Sequence, residues 1–436
     1  MQIYKAPYIY SDGAFLENHA LVEDRGVIQD ILPISKLKPT DSTVIECEDL
    51  ILLPGTINTH NHSFQSLVRG FSDDRSFSEW RDQGIYKFSK LLDQNGIYTG
   101  ALFAFYEMIL NGVTTVCDFF YIHDGGNQNA RAVIQAAHDV GIRLVLARCL
   151  YDWKGAPSQY QESVSQAKKN CLSLIDEVGQ NSMCRVYPAP HSLHGASQAM
   201  IEAGMEIARE KNSYLHMHIA EAKYEVEQVK KKYGKTPLKF LNHIGACSDR
   251  LVGVHCVWID DEEVELMAEK QVKLSYNPAS NMYLGDGVTP ILKLLKRNVI
   301  VGLGTDGACS NNRTSVFDEM RTCSLLQKLT HLDGAVCPAE TSFKMGTENG
   351  GKILGIPTGV LKPGNYCDFV GIRVSDISLL PFKTENLVKN IVYAMSPRAI
   401  DTVVVQGREV VKNGYHVSLS PREVYEKVQN VTRGWK

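Results

Sequence analysis

The chain has 436 residues, of which 44% are hydrophobic and 22% are charged, and its formal net charge is −3. Such a chain can bury a large core, and its length favours one large domain plus a smaller one. The slightly negative charge argues against binding to nucleic acid or to anionic membranes through bulk charge. The N-terminus has no apolar core of signal-peptide length, and nowhere do about eighteen apolar residues run together as a membrane span requires, so we expect a cytoplasmic protein. Its expected partner is a small-molecule substrate.

Residues 1 to about 50 contain short alternating runs separated by turns, for example Ser11-Asp12-Gly13, without helical periodicity. This pattern predicts short β-strands. The eleven cysteines of the chain are scattered and form no C-x-x-C pair, which is typical of reduced thiols rather than of a disulfide framework or a structural zinc site.

From residue 51 onward, apolar strand-like runs alternate with stretches of helical periodicity. Eight such runs occur, at 51–60, 114–120, 143–150, 184–189, 214–220, 251–258, 272–276 and 299–304. Eight β-then-α units over about 250–300 residues predict an α/β fold, a closed (β/α)8 barrel. An open doubly wound sheet is the alternative, but the glycine-rich phosphate loop that would favour it is not found after the first strand.

After about residue 357 the sequence returns to short strands and turns, for example at 391–394 and 401–411. These runs resemble the beginning of the chain more than its middle. We therefore predict that 1–54 and 357–436 form one small β-sandwich domain beside a metal-dependent hydrolase barrel at 55–356.

In a barrel of this kind the reacting groups lie at the carboxyl ends of the strands. His60 and His62 end the first strand, and they point to the same face because strand side chains alternate. Imidazoles and carboxylates occur at the ends of strands one, five, six and eight, namely His60 and His62, then His216, His218 and Glu221, then His255, then Asp306. Any one of these could be a packed or hydrogen-bonded structural residue. Their joint occurrence at strand ends indicates a metal centre.

Three neutral imidazoles and one carboxylate suit one divalent ion, Zn2+ or Fe2+, with an open position for water. Such an ion lowers the pKa of bound water to about 7 and supplies hydroxide at neutral pH. Glu221 would carry protons from the water to the leaving nitrogen, while His255 and Asp306 orient and deprotonate the nucleophile. This arrangement predicts hydrolytic attack at an sp2 carbon.

Several motifs occur together along the whole chain, namely Pro54-Gly55-x4-His60-x-His62, His218-x-x-Glu221, His255, Ser280-Asn281-x-x-Leu284-Gly285, Gly304-Thr305-Asp306-Gly307 and Leu361-Lys362-Pro363-Gly364. With these motifs the chain resembles the amidohydrolase superfamily, in particular its amino-group deaminases. The resemblance implies that His60, His62, His218 and Asp306 hold one metal, with Glu221, His255 and Asp306 catalytic. Two-metal members carry a bridging lysine at the end of strand four, and none is present here. One metal ion is therefore expected, Zn2+ first and Fe2+ as the alternative.

Two deaminase subgroups share further motifs with the chain. His62-Ser-Phe-Gln65, Trp80-Arg81 and 189–193 resemble formiminoglutamate deiminases, whereas 277–281, 307–312 and Arg148 resemble deaminases of S-adenosylhomocysteine and methylthioadenosine. The arginine that holds the substrate carboxylate in the first subgroup is replaced by His194. The glutamate that binds ribose in the second has no counterpart in 85–90. Neither activity is therefore assigned from the motifs.

Polar and aromatic residues at or just past the strand ends could bind a small, nitrogen-rich substrate, namely Gln65, Trp80, Arg81, Tyr121, Arg148, His191, His194 and Asn281. Each also has a structural alternative. Trp80 and Tyr121 could belong to the core, Arg81 could pair with Asp82, and Arg148 could form a structural ion pair.

We therefore predict a metal-dependent aminohydrolase that releases ammonia from an amidine-like carbon of a small heterocycle or formimino compound. The alternatives are a chlorohydrolase or a cyclic amide hydrolase with the same machinery, and a non-catalytic barrel that serves as a binding scaffold. The resemblance is also compatible with a homodimer.

Overall fold

The computed structural model describes residues 1–38 and 42–436 of the chain. The strands, in chain order, are β1 Gln2–Ser11, β2 Ala14–Asp24, β3 Val27–Pro33, β4 Thr43–Glu46, β5 Leu50–Pro54, β6 Thr56–Asn61, β7 Val113–Phe120, β8 Arg143–Leu150, β9 Cys184–Pro190, β10 Leu215–Ile219, β11 Leu251–His255, β12 Lys273–Tyr276, β13 Val301–Leu303, β14 Phe369–Arg373, β15 Ile400–Val405, β16 Arg408–Lys412 and β17 Tyr415–His416.

The helices, in chain order, are α1 Phe77–Glu79, α2 Tyr86–Ser89, α3 Gln94–Leu110, α4 Gln128–Val140, α5 Val164–Val178, α6 Gln198–Glu210, α7 Lys223–Tyr233, α8 Pro237–His243, α9 Asp261–Glu269, α10 Pro278–Tyr283, α11 Ile291–Lys296, α12 Val316–His331, α13 Ala339–Gly346, α14 Glu348–Leu354, α15 Leu387–Tyr393 and α16 Pro421–Thr432. Among the described residues, none of these helices is long and apolar enough to cross a membrane. The fold is mixed α/β, as the sequence predicts.

Within the described residues, the centre of the fold contains two four-stranded parallel sheets, with strand orders β6-β7-β8-β9 and β10-β11-β12-β13. Helices connect successive strands, because a chain that pairs in parallel must return to the same end of the sheet. Backbone hydrogen bonds also join the two sheets. The amide of His218 donates to the carbonyl of His191 (3.1 Å), and the amide of Asp306 donates to the carbonyl of His60 (3.0 Å). The carboxyl ends of strands from both sheets are therefore brought together.

Each of the eight predicted strand runs overlaps an observed strand. The first run, 51–60, differs from the prediction because it contains two strands that belong to different sheets. β5 pairs with β1 and β14, whereas β6 pairs with β7. Gly55 separates them, and a Cβ atom at this position would lie 2.1 Å from Oγ1 of Thr114. Only glycine fits this close approach as the chain passes from one sheet to the other.

Strands from both chain ends pair in one sheet, which has nine strands in the part of the chain that the structure describes. Its order is β17-β16-β15-β14-β5-β1-β2-β3, with β4 beside β1. The predicted strand at 391–394 is wrong, because residues 387–393 form the helix α15. Leu387 and Ile391 are buried in α15, and their spacing of four residues places both on one helix face.

One helical segment, residues 77–89, contributes to the wall above the strand ends. It begins with α1, continues as a π-helical turn at Trp80–Ile85 and ends with α2. Ser76 and Glu79 form a capping box at its start, in which the backbone amide of Ser76 donates to Oε2 of Glu79 (3.2 Å). The indole N–H of Trp80 donates to the carbonyl of Cys309 (2.8 Å), which anchors the segment to the loop after β13. Such π-helical turns are frequent at functional sites.

Candidate active site

Four side chains converge at the ends of β6, β10 and β13. His60 lies in β6 and His62 follows it, His218 lies in β10, and Asp306 follows β13. Nε2 of His218 lies 3.2 Å from Nε2 of His60 and 3.3 Å from Nε2 of His62. Oδ1 of Asp306 lies 3.5 Å from Nε2 of His60 and 3.4 Å from Nε2 of His62.

Hydrogen bonds behind two of these imidazoles fix which nitrogen faces the others. Nδ1–H of His62 donates to the carbonyl of Phe119 (2.6 Å), and Nδ1–H of His218 donates to the carbonyl of His191 (2.8 Å). Because a carbonyl only accepts, the proton is on Nδ1 and a lone pair is on Nε2. Burial lowers the pKa of His62 to about 3 and that of His218 well below its usual value. Both rings are therefore neutral at pH 7, and their lone pairs face each other.

The Asp306 carboxylate is held in place from behind. Its Oδ2 accepts hydrogen bonds from Oγ of Ser280 (2.6 Å) and Oγ of Ser310 (3.2 Å). Burial alone raises the pKa of this carboxyl, but the contacts with His60 and His62 lower it below its ordinary value. The backbone at Asp306 is left-handed, with φ of 60°, an uncommon conformation for a residue other than glycine. The result is an ionised carboxylate that faces the imidazole nitrogens.

These four side chains fit a single divalent ion. A tetrahedral site with metal–ligand bonds of about 2.0–2.1 Å has ligand–ligand separations of about 3.3–3.4 Å. The four observed separations lie between 3.2 and 3.5 Å. Imidazole and carboxylate are also donors that zinc and iron accept. In a buried site, lone pairs and a carboxylate at these distances repel one another unless a cation lies between them.

Glu221 and His255 lie beside these four residues, and with Asp306 they form a second group of converging ligand-type atoms. Oε1 of Glu221 lies 3.5 Å from Nε2 of His255, the last residue of β11. Burial, together with the charges of Asp306 and Glu225, raises the pKa of Glu221 well above its ordinary value. A buried carboxyl of this kind is suited to taking up and releasing protons near neutral pH.

A cavity opens next to these groups, and six of the eight predicted substrate-binding residues line it, namely Gln65, Trp80, Arg81, Tyr121, His191 and His194. Five further lining residues were not predicted from the sequence, namely Phe77, Ile85, Tyr86, Tyr151 and Tyr160. Tyr151 directly follows β8, so its position at a strand end was a usable signal. The others lie in the 77–89 segment or in the loop before α5, where the sequence pattern gives no such signal. The aromatic walls suit a flat ring.

Two predicted substrate-binding residues do not line the cavity. Arg148 is fully buried, and Nη1 and Nη2 donate to the two carboxylate oxygens of Glu162 at 2.9 Å each. Nε of Arg148 donates to Oδ1 of Asn127 (2.9 Å). This guanidinium forms a structural ion pair, as the alternative interpretation held. Asn281 lies behind His255, and its Oδ1 accepts the Nδ1–H of that ring (2.8 Å). Asn281 therefore positions His255 and does not face the cavity.

The fold and this site define a hydrolase of a known class. Residues 51–410 match the sequence profile of the amidohydrolase family, and the chain belongs to that family. It is 33% identical over 426 residues to 5-methylthioadenosine/S-adenosylhomocysteine deaminase of Halothermothrix orenii, across 95% of this chain and 96% of that protein. It is 34% identical over 423 residues to 5′-deoxyadenosine deaminase of Methanothermobacter thermautotrophicus, across 96% of this chain and 95% of that protein. The predicted family is thus confirmed.

Solved structures share the fold. An adenosine deaminase from Xanthomonas campestris with bound zinc has a TM-score of 0.92 and 24% identity, and the match covers 99% of this chain and 97% of that one. An atrazine chlorohydrolase from Arthrobacter aurescens complexed with zinc also has a TM-score of 0.92 and 24% identity, with 99% and 100% covered. At this level of identity the likeness concerns the fold.

Proposed function

We propose that this protein deaminates the adenine ring of adenosine derivatives that carry a modified 5′ position. The predicted enzyme class, a metal-dependent aminohydrolase that acts on carbon–nitrogen bonds of nitrogen-rich molecules, is confirmed by family membership and by the relatives, which are named as deaminases of such nucleosides. The observation that carries the proposal is the position of Glu221, whose carboxyl lines an aromatic cavity together with His62, His218 and Asp306. C6 of adenine is an amidine-like carbon that bears an amino group.

In this proposal His60, His62, His218 and Asp306 hold one divalent ion. Their separations and donor types support it, and the zinc in both related structures favours zinc over iron. When bound, such an ion lowers the pKa of water to about 7, which supplies a nucleophile at neutral pH.

The chain's own residues handle the protons. Glu221 accepts one of the two protons of the attacking water and passes it to the ring nitrogen next to C6, where it stays in the product. The second proton passes to the amino group as the C6–N bond breaks, so that ammonia leaves and C6 keeps the oxygen as a carbonyl. His255, held through Nδ1 by Asn281, presents Nε2 to the same space and orients the water. Asp306 assists in removing the proton of the water.

The cavity residues bind the ring. The aromatic side chains of Trp80 and Tyr151 supply flat walls for a purine. The amide of Gln65 is oriented by Tyr121, whose hydroxyl accepts from Nε2 (2.9 Å), and by Cys309, whose Sγ donates to Oε1 (3.1 Å). Burial lowers the pKa of His191 well below its ordinary value, so a neutral imidazole faces the ring nitrogens. Arg81 and His194 lie at the entrance of the cavity, where they would face the 5′ substituent.

We also propose that the two parallel sheets close into a (β/α)8 barrel at 55–356. The hydrogen bonds at both seams, from His218 to His191 and from Asp306 to His60, support closure. The strands of 1–54 and 357–436 would form the β-sandwich domain beside it. The proposal further places the protein in the cytoplasm as a homodimer, which cell fractionation and light scattering would test.

Ammonia release by zinc-loaded protein tests the proposed function. The panel contains 5′-deoxyadenosine, 5′-methylthioadenosine and S-adenosylhomocysteine, with formiminoglutamate, guanine, 8-oxoguanine, pterins and aminotriazines as competing classes. We expect turnover of the adenosine derivatives, with kcat about 10²–10⁴-fold lower in the matched variant Glu221→Gln. Turnover confined to another class would overturn the assignment to adenosine derivatives. If fully metallated protein released no ammonia from any compound, the deaminase proposal itself would fail.

A further inference from the structure

A buried hydroxyl group lies between two histidines of the catalytic cavity. Ser192, in the loop after β9, is fully buried, and its Oγ lies 2.9 Å from Nδ1 of His191 and 3.1 Å from Nδ1 of His194. Both imidazoles line the cavity. The backbone amide of Gly195 also donates to Oγ of Ser192 (3.1 Å). The hydroxyl therefore has three hydrogen-bonding neighbours.

These three contacts restrict where the imidazole protons lie. A hydroxyl has one hydrogen to donate and two lone pairs that accept. The amide of Gly195 occupies one lone pair, so one hydrogen and one lone pair remain for the two imidazoles. Because buried polar groups are rarely left without a partner, one Nδ1 carries a proton and the other carries a lone pair. Ser192 thus imposes opposite proton positions on His191 and His194.

A buried acid decides which Nδ1 carries the proton. Oε1 of Glu225 lies 3.9 Å from Nδ1 of His194 and has no hydrogen-bond partner among the described residues. Oε2 of the same carboxylate accepts the backbone amide of Glu221 (3.0 Å), which holds the group in place. A carboxylate oxygen attracts an N–H group and repels a nitrogen lone pair, and at 2% exposure water screens this effect weakly. The proton therefore lies on Nδ1 of His194, which donates to Ser192.

The hydroxyl of Ser192 then donates to Nδ1 of His191, which carries the lone pair. Burial lowers the pKa of His191 well below its ordinary value, so the ring is neutral and its one proton lies on Nε2. The loop closes over the Nδ1 edge of the ring, since a Cβ atom at Gly195 would lie 2.8 Å from that nitrogen. Nε2 has no hydrogen-bond partner within residues 1–38 and 42–436. Its proton is therefore available to a molecule in the cavity that the ring lines.

We infer that Ser192 and Glu225 are positioning residues that fix the proton of His191 on Nε2, so that this ring presents a hydrogen-bond donor to the substrate. The inference rests on the proposed function and specifies the substrate group at His191 as an acceptor, such as an unprotonated nitrogen of the adenine ring. A substrate with an N–H group at that place would put two donors against each other. Ser192 is not among the described residues that line the cavity, so it acts through the histidine.

NMR of the zinc-loaded protein with ¹⁵N-labelled histidine reads the proton positions directly. We expect long-range ¹H–¹⁵N spectra to show the bonded proton on Nε2 of His191 and on Nδ1 of His194, with the signals assigned from variants that lack one histidine each. Glu225→Gln keeps the shape of the side chain and removes its charge, so it should add a population of His191 with the proton on Nδ1. Glu227→Gln, the matched change at an exposed position of α7, should leave the spectrum unchanged. A proton on Nδ1 of His191 in the wild-type protein would overturn the inference.

Binding of analogues that lack one ring acceptor tests the consequence for the substrate. Dissociation constants are measured in zinc-loaded Glu221→Gln for 5′-deoxyadenosine and for its 3-deaza and 7-deaza analogues, in each of which C–H replaces one ring nitrogen. We expect one analogue to bind about tenfold more weakly, the effect of a buried donor that loses its acceptor. Adding Ser192→Ala should reduce this ratio to about twofold or less.

A matched serine separates positioning from general packing. Ser89 is also fully buried, and its Oγ lies 2.5 Å from the hydroxyl of Tyr160, another cavity residue. Ser89→Ala should therefore keep the ratio between 5′-deoxyadenosine and the weaker analogue, even if all three ligands bind less tightly. If Ser192→Ala also keeps the ratio, Ser192 does not act through His191 and the inference is overturned.

Two further outcomes separate the inference from the proposed function. Equal binding of 5′-deoxyadenosine and both analogues would show that Nε2 meets no ring acceptor, and it would overturn the inference while the deaminase function stands. If the wild-type protein released no ammonia from any adenosine compound, the proposed function would fail, whereas the NMR spectra would still show which nitrogen of His191 carries the proton.

Discussion

Asn281→Ala removes one acceptor from the site without touching the metal-type ligands. Oδ1 of Asn281 accepts the Nδ1–H of His255 at 2.8 Å, and each residue is 1% exposed. No bulk water reaches this pair to replace the lost bond. Nδ2 of Asn277 lies 3.4 Å from the same Nδ1 of His255. With the asparagine acceptor gone, this amide would favour a lone pair on Nδ1 and move the ring proton to Nε2, towards Glu221.

The size of the effect follows from that bond. A buried donor that loses its partner costs about 1–3 kcal/mol, and each 1.4 kcal/mol is about tenfold in rate. If this whole free-energy cost destabilises the transition state, kcat/KM falls by a factor between about 5 and 150. We expect most of the loss in kcat, because Asn281 does not line the substrate cavity. Asn281→Asp restores an acceptor and should recover most of the activity.

The assay is steady-state ammonia release, with metal content measured on the same samples. Metal content should be unchanged in both variants. Wild-type kcat/KM in fully metallated Asn281→Ala would refute the positioning role. A rise in KM at constant kcat would instead indicate that Asn281 binds the substrate, as the sequence predicts.

Three further changes separate the roles of other residues. Glu221→Gln should keep the metal and lose about 10²–10⁴-fold in kcat, which is the usual contribution of proton transfer by a side chain; retained turnover would exclude it as the proton carrier. His62→Ala should lose the metal, measured by elemental analysis, and unchanged metal content would contradict the ligand assignment. Arg148→Met should lower the free energy of unfolding by about 3–5 kcal/mol, because the Glu162 carboxylate stays buried without its partner. Denaturant titration measures this, and normal stability with a raised KM would make Arg148 a substrate residue after all.

The strands could be predicted because parallel strands buried on both faces appear as near-continuous apolar runs. β8 is buried at every position, and its predicted and observed bounds agree. The run at 51–60 shows the limit of this signal. Its apolar residues serve two sheets in succession, and the change occurs at Gly55, where the reason is the nearby Thr114 side chain. A contact between residues so distant in sequence leaves no periodic pattern. The helix α15 was missed for a similar reason, since its seven residues are too few to show a clear helical period.

The converging histidines and Asp306 could be foreseen because their positions depend on strand ends alone. The walls of the cavity could not, because they depend on how loops pack. Arg81 and Arg148 illustrate the difference. Both are predicted substrate-binding residues, yet Arg81 lines the cavity while Arg148 pairs with Glu162, fourteen residues further along the chain. Which acid an arginine meets is decided by the tertiary fold.

This division between strands and loops has a consequence for substrate choice. The four metal-type ligands lie at the ends of β6, β10 and β13, which the hydrogen-bonded sheets hold in register. The residues that line the rest of the cavity come largely from the 77–89 segment and from the loops after β7, β8 and β9. Changes in these outer elements can therefore alter the substrate while the bond-breaking groups stay in place.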